Sequence, residues 1–297
     1  MNEIRTIIDD VTLEETAASV EAAFPYRADR DVLDPMTGGF FPWHWHGDVE
    51  LFTVESGALR YSLPGMTRDF HAGDVGFVNA NVLHMTRCLD GRRCVLQEHI
   101  FLPRLVGGTS GSAIDLKYVQ PLLTNRRAEL LSIPADKPEA AKMRALMQSA
   151  IDAFGMRAPG YEIIVRNAMS ALWLKLLALA PEGGAGRGSA DELRLKAMLR
   201  FIDENHAEPL TLNDIAAAAG IGPREASRCF RRQLNLSPFE YLIGCRVDRA
   251  AERLRATDER VTDIALSCGF GSVSYFGKLF RQRLGMTPSE YRRARRH

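Results

Sequence analysis

Net charge, cysteine pairs and long apolar runs are all scarce in this sequence, and each shortage excludes a class of protein. Against 38 Lys+Arg stand 37 Asp+Glu, a formal net charge of +1. That balance excludes a uniformly basic nucleic-acid coat and an acidic, solvating chain. The 5 cysteines are odd in number and lack CxxC spacing, which excludes a disulfide scaffold or zinc ribbon and predicts reduced thiols in a cytoplasmic protein. No stretch reaches the roughly 18 uncharged apolar residues that a membrane span needs; the best candidate, 167–180, is broken by Lys175. The opening MNEIRTIIDDVTLEE has no basic segment followed by an apolar one, so neither a signal peptide nor a membrane partner is expected.

What is present is ordinary globular composition, 46% hydrophobic and 25% charged over 297 residues, enough for about two domains at roughly 100–200 residues each. The near-zero charge is a cancellation. Residues 1–220 carry 22 basic and 29 acidic side chains, net −7, whereas 221–297 carry 16 and 8, net +8. A basic C-terminal part predicts a polyanionic partner.

The Gly-rich string PEGGAGRGSA, 181–190, has almost nothing that could join a core and reads as a linker. Before it, residues 40–100 are short β-type runs separated by turn residues, which predicts a small barrel or sandwich. From about Pro138 to Ala180 the periodicity becomes helical, broken at Pro159-Gly160. The second of those helices is apolar over most of its circumference, so nearly every face is expected to be covered, either by core packing alone or by the barrel on one side and a partner chain on the other. Beyond the linker every segment reads as helix. The expected organisation is therefore α+β: a small β-barrel at 1–135, a helical segment at 136–180 that includes the candidate dimerisation face, a linker at 181–190, and an all-α module at 191–297.

That module contains an internal repeat. LNDIAAAAGIG and VTDIALSCGFG align at an offset of 49, and the following segments align at 50, pairing Phe230 with Phe280, Arg231 with Arg281, Leu234 with Leu284, Pro238 with Pro288 and Tyr241 with Tyr291. Each copy is a short helix, a Gly-containing turn and a longer helix, the grammar of a helix-turn-helix. Gly220 and Gly269 stand where the first helix must end left-handed, Pro223 suits a first helical turn, and Ser272 can cap the equivalent helix. The stripe Ala226, Phe230, Leu234 is expected to be buried, as are Phe276, Leu279 and Phe280. Arg224, Glu225, Ser227, Arg228, Arg231 and Arg232 then face outward, as do Val273, Ser274, Gly277, Lys278 and Arg281. The run from Pro238 to Thr257 reads as one connecting helix of roughly 30 Å, comparable with the roughly 34 Å between successive major-groove faces. Two recognition helices of one chain can therefore reach adjacent turns of double-stranded DNA.

Residues 190–297 resemble the DNA-binding domain of the AraC/XylS family of bacterial transcription regulators. The resemblance is carried by Ile264, Ala265, Gly269, Phe270, Ser274, Tyr275, Phe276, Lys278, Phe280, Arg281, Gly285, Thr287, Pro288, Tyr291 and Arg292, and by Arg246, Ala250 and Leu254 in the connecting helix. It implies base-edge contacts from Arg224, Ser227 and Arg228 in the first copy and from Val273, Ser274, Gly277 and Lys278 in the second, with Arg231 and Arg281 on phosphate. Two departures stand out: Gly222 occupies a position where the family usually has a capping Ser, and Gly277 lies inside the second recognition helix, at a cost of about 1 kcal/mol relative to Ala. A homodimer, a small-molecule effector and RNA polymerase are the further partners implied, with activation as the expected outcome.

In the N-terminal part, Gly38-x5-His44-x-His46-x3-Glu50-x6-Gly57 places His44, His46, Asp48 and Glu50 on one face if the strand alternates regularly. Gly73-x5-Asn79-x-Asn81-x2-His84 supplies a third imidazole. These two stretches resemble those of the cupin superfamily, whose small barrels hold a divalent metal through two His, a Glu and a later His. Asn79, Asn81 and Cys88 depart from that pattern. Such a donor set suits Zn, Ni, Fe or Mn. The alternative is a metal-free effector pocket in which the same side chains bond one another, and a regulator of this kind requires no cofactor and is not an enzyme. A second functional reading is a cupin metalloenzyme of oxygenase or isomerase type with a regulatory DNA-binding domain attached. Trp43 and Trp45 are expected on the opposite face, packing against helices, and His71 and His99 are read as lone surface or core residues.

Overall fold

The computed structural model describes residues 7–8, 15–16, 24–34, 39–182 and 190–293. Gly38 and most of the predicted linker, 183–189, lie outside the described residues. The strands are β1 (Ile7–Ile8), β2 (Glu15–Thr16), β3 (Tyr26–Leu33), β4 (Phe40–His44), β5 (Val49–Ser56), β6 (Ala58–Leu63), β7 (Met66–His71), β8 (Val75–Val78), β9 (His84–Cys88), β10 (Cys94–Phe101) and β11 (Leu130–Ile133). One antiparallel sheet has the order β11-β8-β5-β10-β3 and a second β4-β9-β6-β7, with β1 and β2 pairing separately.

The alternation of β5, VELFTVES, explains how one strand serves two cores. Glu50, Phe52 and Val54 point between the sheets, and Phe52 and Val54 join Leu59, Tyr61, Phe70, Val78 and Leu96 in an interior cluster. Phe52 stacks on Tyr61 at 4.6 Å. Gly76 on the neighbouring strand leaves room for that ring, since a Cβ there would lie 2.0 Å from Phe52 Cζ. Val49 and Leu51 point the other way, into a cluster shared with the helices.

The helices are α1 (Arg104–Gly107), α2 (Gln120–Leu123), α3 (Pro138–Met156), α4 (Tyr161–Leu179), α5 (Ala190–Glu204), α6 (Leu212–Ala218), α7 (Pro223–Leu234), α8 (Pro238–Ala256), α9 (Val261–Ser267), α10 (Val273–Leu284) and α11 (Pro288–Arg293). A short π-helical turn, Asp115–Val119, leads into α2. The α3–α4 hairpin covers the outer face of the five-stranded sheet through Met143, Met147, Val165, Met169, Leu172, Trp173 and Leu176. Trp173 donates its indole N–H to the Tyr118 carbonyl at 2.8 Å. The helical segment expected at 136–180 thus shares its core with the barrel. Its opposite side is exposed, with Ile163, Ile164 and Leu174 facing outward.

In the C-terminal module both repeats fold as expected. Gly220 and Gly269 have φ of 64° and 81°, and Ala226, Phe230, Leu234, Phe276 and Phe280 are buried; Leu279 is only partly so. The connecting helix ends at Ala256, one residue before the expected position. Thr211 and Ser237 close capping boxes with Asp214 and Glu240, and Ser272 accepts from the Tyr275 amide.

Candidate functional site

Two sites emerge, one on the module and one inside the barrel. On the module, Arg224, Arg228, Arg231, Val273, Ser274, Lys278 and Arg281 are exposed, and Ser227 and Gly277 are partly so. Each recognition helix therefore presents the predicted residues outward while its repeat-related aromatic residues fill the core. Arg228 forms an ion pair with Glu225, and Arg231 lies 3.7 Å from Glu240. Tyr275, half exposed at 51%, adds an aromatic group to the second face, which the sequence reading assigned only to the family pattern. Gly222 starts α7 without a side-chain cap. Arg246 acts structurally, because its guanidinium donates to the carbonyls of His206 (2.6 Å) and Glu208 (2.8 Å) and so fixes the loop after α5 against α8.

In the barrel the structure brings His44, His46 and His84 together, with ligand-capable atoms within 4.8 Å of one another, and places Glu50 beside them. The regular strand expected from His44 to Glu50 is not what joins them. β4 ends at His44, the chain bends at residues 47–48, and β5 starts at Val49; the pairing of β4 with β9 is irregular between Phe41 and His44. The donors therefore come from a strand end, a short connection, the strand after it and the start of β9, where His84 pairs opposite His44. The irregularity between Phe41 and His44 has a physical cause: Pro42 cannot donate to the ladder, and its carbonyl accepts from His44 Nδ1 at 2.7 Å.

The three imidazoles are oriented alike. His46 Nδ1 lies 3.0 Å from the Asp48 carbonyl and His84 Nδ1 lies 2.8 Å from the Val82 carbonyl. Because a backbone carbonyl only accepts, each Nδ1 carries a hydrogen, which leaves Nε2 as the atom that turns to the cluster and would ligate an ion. This is the outer support that metal-ligating histidines typically have. Glu50 Oε2 lies 3.3 Å from His84 Nε2 and 3.8 Å from His46 Nε2. Its other oxygen accepts from the Tyr61 hydroxyl. Burial alone would raise the Glu50 carboxyl, but hydrogen bonds and charge from His46 and His84 hold it well below the usual carboxylate range. Burial, with Glu50 adding to it, pushes Tyr61 far above its ordinary value, so it remains a donor. A buried carboxylate facing imidazole nitrogens is an arrangement that favours a cation between them. Tyr61 was missed from sequence because its strand reads only as a core strand.

Outside this cluster, His99 is fully buried and its Nδ1 meets the Tyr26 hydroxyl at 2.7 Å. Cys94, Cys229 and Cys268 are buried and Cys88 and Cys245 partly so, all as free thiols.

Trp43 and Trp45 do face away from the histidines and do pack among helices, but those helices belong to the C-terminal module. Trp43 and Leu83 are buried in one cluster with Leu195, Met198, Leu199 and Ile202, and Trp45 and Met85 pack against it. Further contacts cross the same junction. Lys196 Nζ donates to the Asn81 carbonyl at 2.6 Å, Arg126 pairs with Glu192 at 2.6 Å, and the Gly65 amide donates to the Gln233 carbonyl at 3.0 Å. Arg283 lies over the Phe40 ring at 5.0 Å. In this structure the module is packed against the barrel, a contact that the linker reading did not anticipate.

Among the described residues, no helix is long and apolar enough to cross a membrane.

Comparison with known proteins agrees with both halves of the chain. A helix-turn-helix domain family matches residues 215–294, and a cupin domain family matches residues 33–99. The chain is similar to an uncharacterized HTH-type transcriptional regulator, YdeC, of Bacillus subtilis, 24% identical over 98% of this chain and 99% of that one. It is 34% identical to the HTH-type transcriptional activator RhaS of Citrobacter koseri, over 86% of this chain and 88% of the relative. Among solved structures, ToxT from Vibrio cholerae aligns over 90% of this chain and 95% of that one, with a TM-score of 0.48 and 14% identity. Given the full-length likeness to RhaS and the duplicated helix-turn-helix, the chain belongs to the AraC/XylS family of transcription regulators.

Proposed function

We propose that this protein is a cytoplasmic, effector-responsive transcriptional activator that works as a homodimer. The observation that carries the reading is the pair of recognition helices, α7 and α10, whose outward residues are accessible while their repeat-related aromatic residues form the core. Arg224, Ser227 and Arg228 would read base edges in one major groove, and Val273, Ser274, Gly277 and Lys278 in the next, with Arg231 and Arg281 neutralising phosphate. The exposed apolar side of α4, with Ile163, Ile164 and Leu174, supports dimerisation there. RNA polymerase is the partner that activation requires.

The barrel is the sensor in this reading. His44, His46 and His84 would hold a divalent ion, with Glu50 as the adjacent carboxylate; the support is the common Nδ1-to-carbonyl orientation of all three rings. A bound ion would offer an effector oxygen a Lewis-acidic partner. The enzyme alternative gains no specific support, since the relatives named above are regulators. Binding of a randomised duplex pool by the full chain tests the reading. Enrichment of a defined sequence is expected, and retention of the pool without enrichment would reject it.

A further inference from the structure

We infer that ion occupancy of the histidine cluster and docking of the DNA-binding module on the barrel are thermodynamically linked, through residues that present one side chain to the cluster and the next to that module. This rests on the reading of His44, His46 and His84 as ion ligands and adds what that ion regulates.

The geometry is one of alternation. Along 43–46, His44 and His46 turn to the histidine cluster, whereas Trp43 and Trp45 join the apolar core of the C-terminal module, to which α5 contributes Leu195, Met198, Leu199 and Ile202. Along 83–85, His84 turns inward while Leu83 and Met85 turn to the same core. The backbone between them belongs to both sides. Asn81, whose carbonyl accepts from Lys196 of α5, has a left-handed φ of 61° and donates its own amide to the His46 carbonyl at 2.7 Å. Lys196 also stands over the Trp45 ring at 5.5 Å. The β4–β9 ladder shifts register just before His44, between Phe41 and His44, and resumes with His44 opposite His84.

An ion that ligates His44, His46 and His84 ties the β4 end, the connection after it and the start of β9 to one point. The platform formed by Trp43, Trp45, Leu83 and Met85 then has less freedom to lose when α5 docks. Linkage is reciprocal: if the ion strengthens docking, docking strengthens ion affinity by the same factor. A residue of the module that lies outside the ligand set thereby contributes to ion binding.

Lys196→Ala in the full chain tests this, with chelator-treated protein titrated separately with Zn(II), Ni(II), Mn(II) and Fe(II). Removing a nearby positive charge should, by electrostatics alone, tighten cation binding. Linkage predicts the opposite, a several-fold weaker affinity. Hydrogen exchange gives the second readout: in the wild type, ion addition should slow amide exchange in 41–50, 81–86 and also α5, and in Lys196→Ala the α5 response should shrink while the strand response remains. An ion that binds and protects the strands but leaves α5 unchanged, or an affinity unaltered or increased in Lys196→Ala, would overturn the linkage while leaving the ion site standing. Binding of none of the four ions would overturn both. Leu193→Ala, on the exposed side of α5, is the control and should alter neither readout.

Discussion

Two glycines of the second helix-turn-helix should respond in opposite directions to the same substitution. Gly269 ends α9 with φ of 81°, and a Cβ there would lie 2.7 Å from the Ala207 carbonyl oxygen, 2.9 Å from that of His206 and 2.9 Å from Arg246 Nε. The left-handed conformation costs a non-glycine residue about 1–2 kcal/mol, and overpacking typically adds about 1–3 kcal/mol. The oxygens that would have to move are backbone atoms, one of them the acceptor of the Arg246 bond, so little relief is available. Gly269→Ala should therefore destabilise the module by about 2–5 kcal/mol. Gly277 lies inside α10 with nothing within 4 Å of its Cβ position, so Gly277→Ala should recover most of the helix-propensity difference, about 0.5–1 kcal/mol. Urea unfolding of both variants in the full chain, followed by far-UV circular dichroism, measures the two shifts. A Gly269→Ala protein as stable as wild type, or a Gly277→Ala protein less stable, would refute the reasoning.

Three further outcomes are expected. Burial pushes His99 down to about 3, below its value of about 6.5 in an unfolded chain. Its contribution is therefore complete above about pH 6.5 and is lost as pH falls through the window toward 3, at about 1.4 kcal/mol per pH unit; urea midpoints for wild type and His99→Gln should converge by that slope between pH 7 and 5. Gly76→Ala should destabilise the barrel by about 1–3 kcal/mol, because the added carbon meets the Phe52 ring, and Phe52→Leu in the same chain should recover part of the loss in thermal melts. Under the proposed DNA reading, Arg228→Ala should weaken binding to a selected duplex by about 1–3 kcal/mol and relax one base position, whereas Arg281→Ala should weaken all duplexes alike and reduce the log-log salt slope by about 1; fluorescence anisotropy at several salt concentrations separates the two.

The C-terminal module was readable from sequence because its constraints are local and occur twice. Gly220 and Gly269 mark the turns, and the buried stripes of α7 and α10 follow from four-residue spacing. The histidine cluster is legible by residue type, although the local conformation is not: a regular strand is expected from His44 to Glu50, whereas β4 ends at His44, the chain bends at residues 47–48 and β5 starts at Val49. β3 is not legible in the sequence, since YRADRDVL interleaves Arg27, Asp29, Arg30 and Asp31 with its apolar residues, and periodicity does not reveal a buried ion pair such as Arg27–Asp29. Least accessible was the junction between barrel and module. Trp43 and Trp45 were assigned correctly to the outer face, but what covers them is the core of the C-terminal module, some 150 positions along the chain.

Under the proposed function one chain reads DNA with two recognition helices in adjacent major grooves. Selecting bound sequences from random duplexes with the full protein tests it most directly. Two conserved base clusters separated by about one helical turn, roughly 10–10.5 base pairs, are expected, with specificity relaxed at one position of the first in Arg228→Ala and of the second in Lys278→Ala. A single cluster left unchanged by Lys278→Ala, or enrichment of no sequence at all, would contradict it.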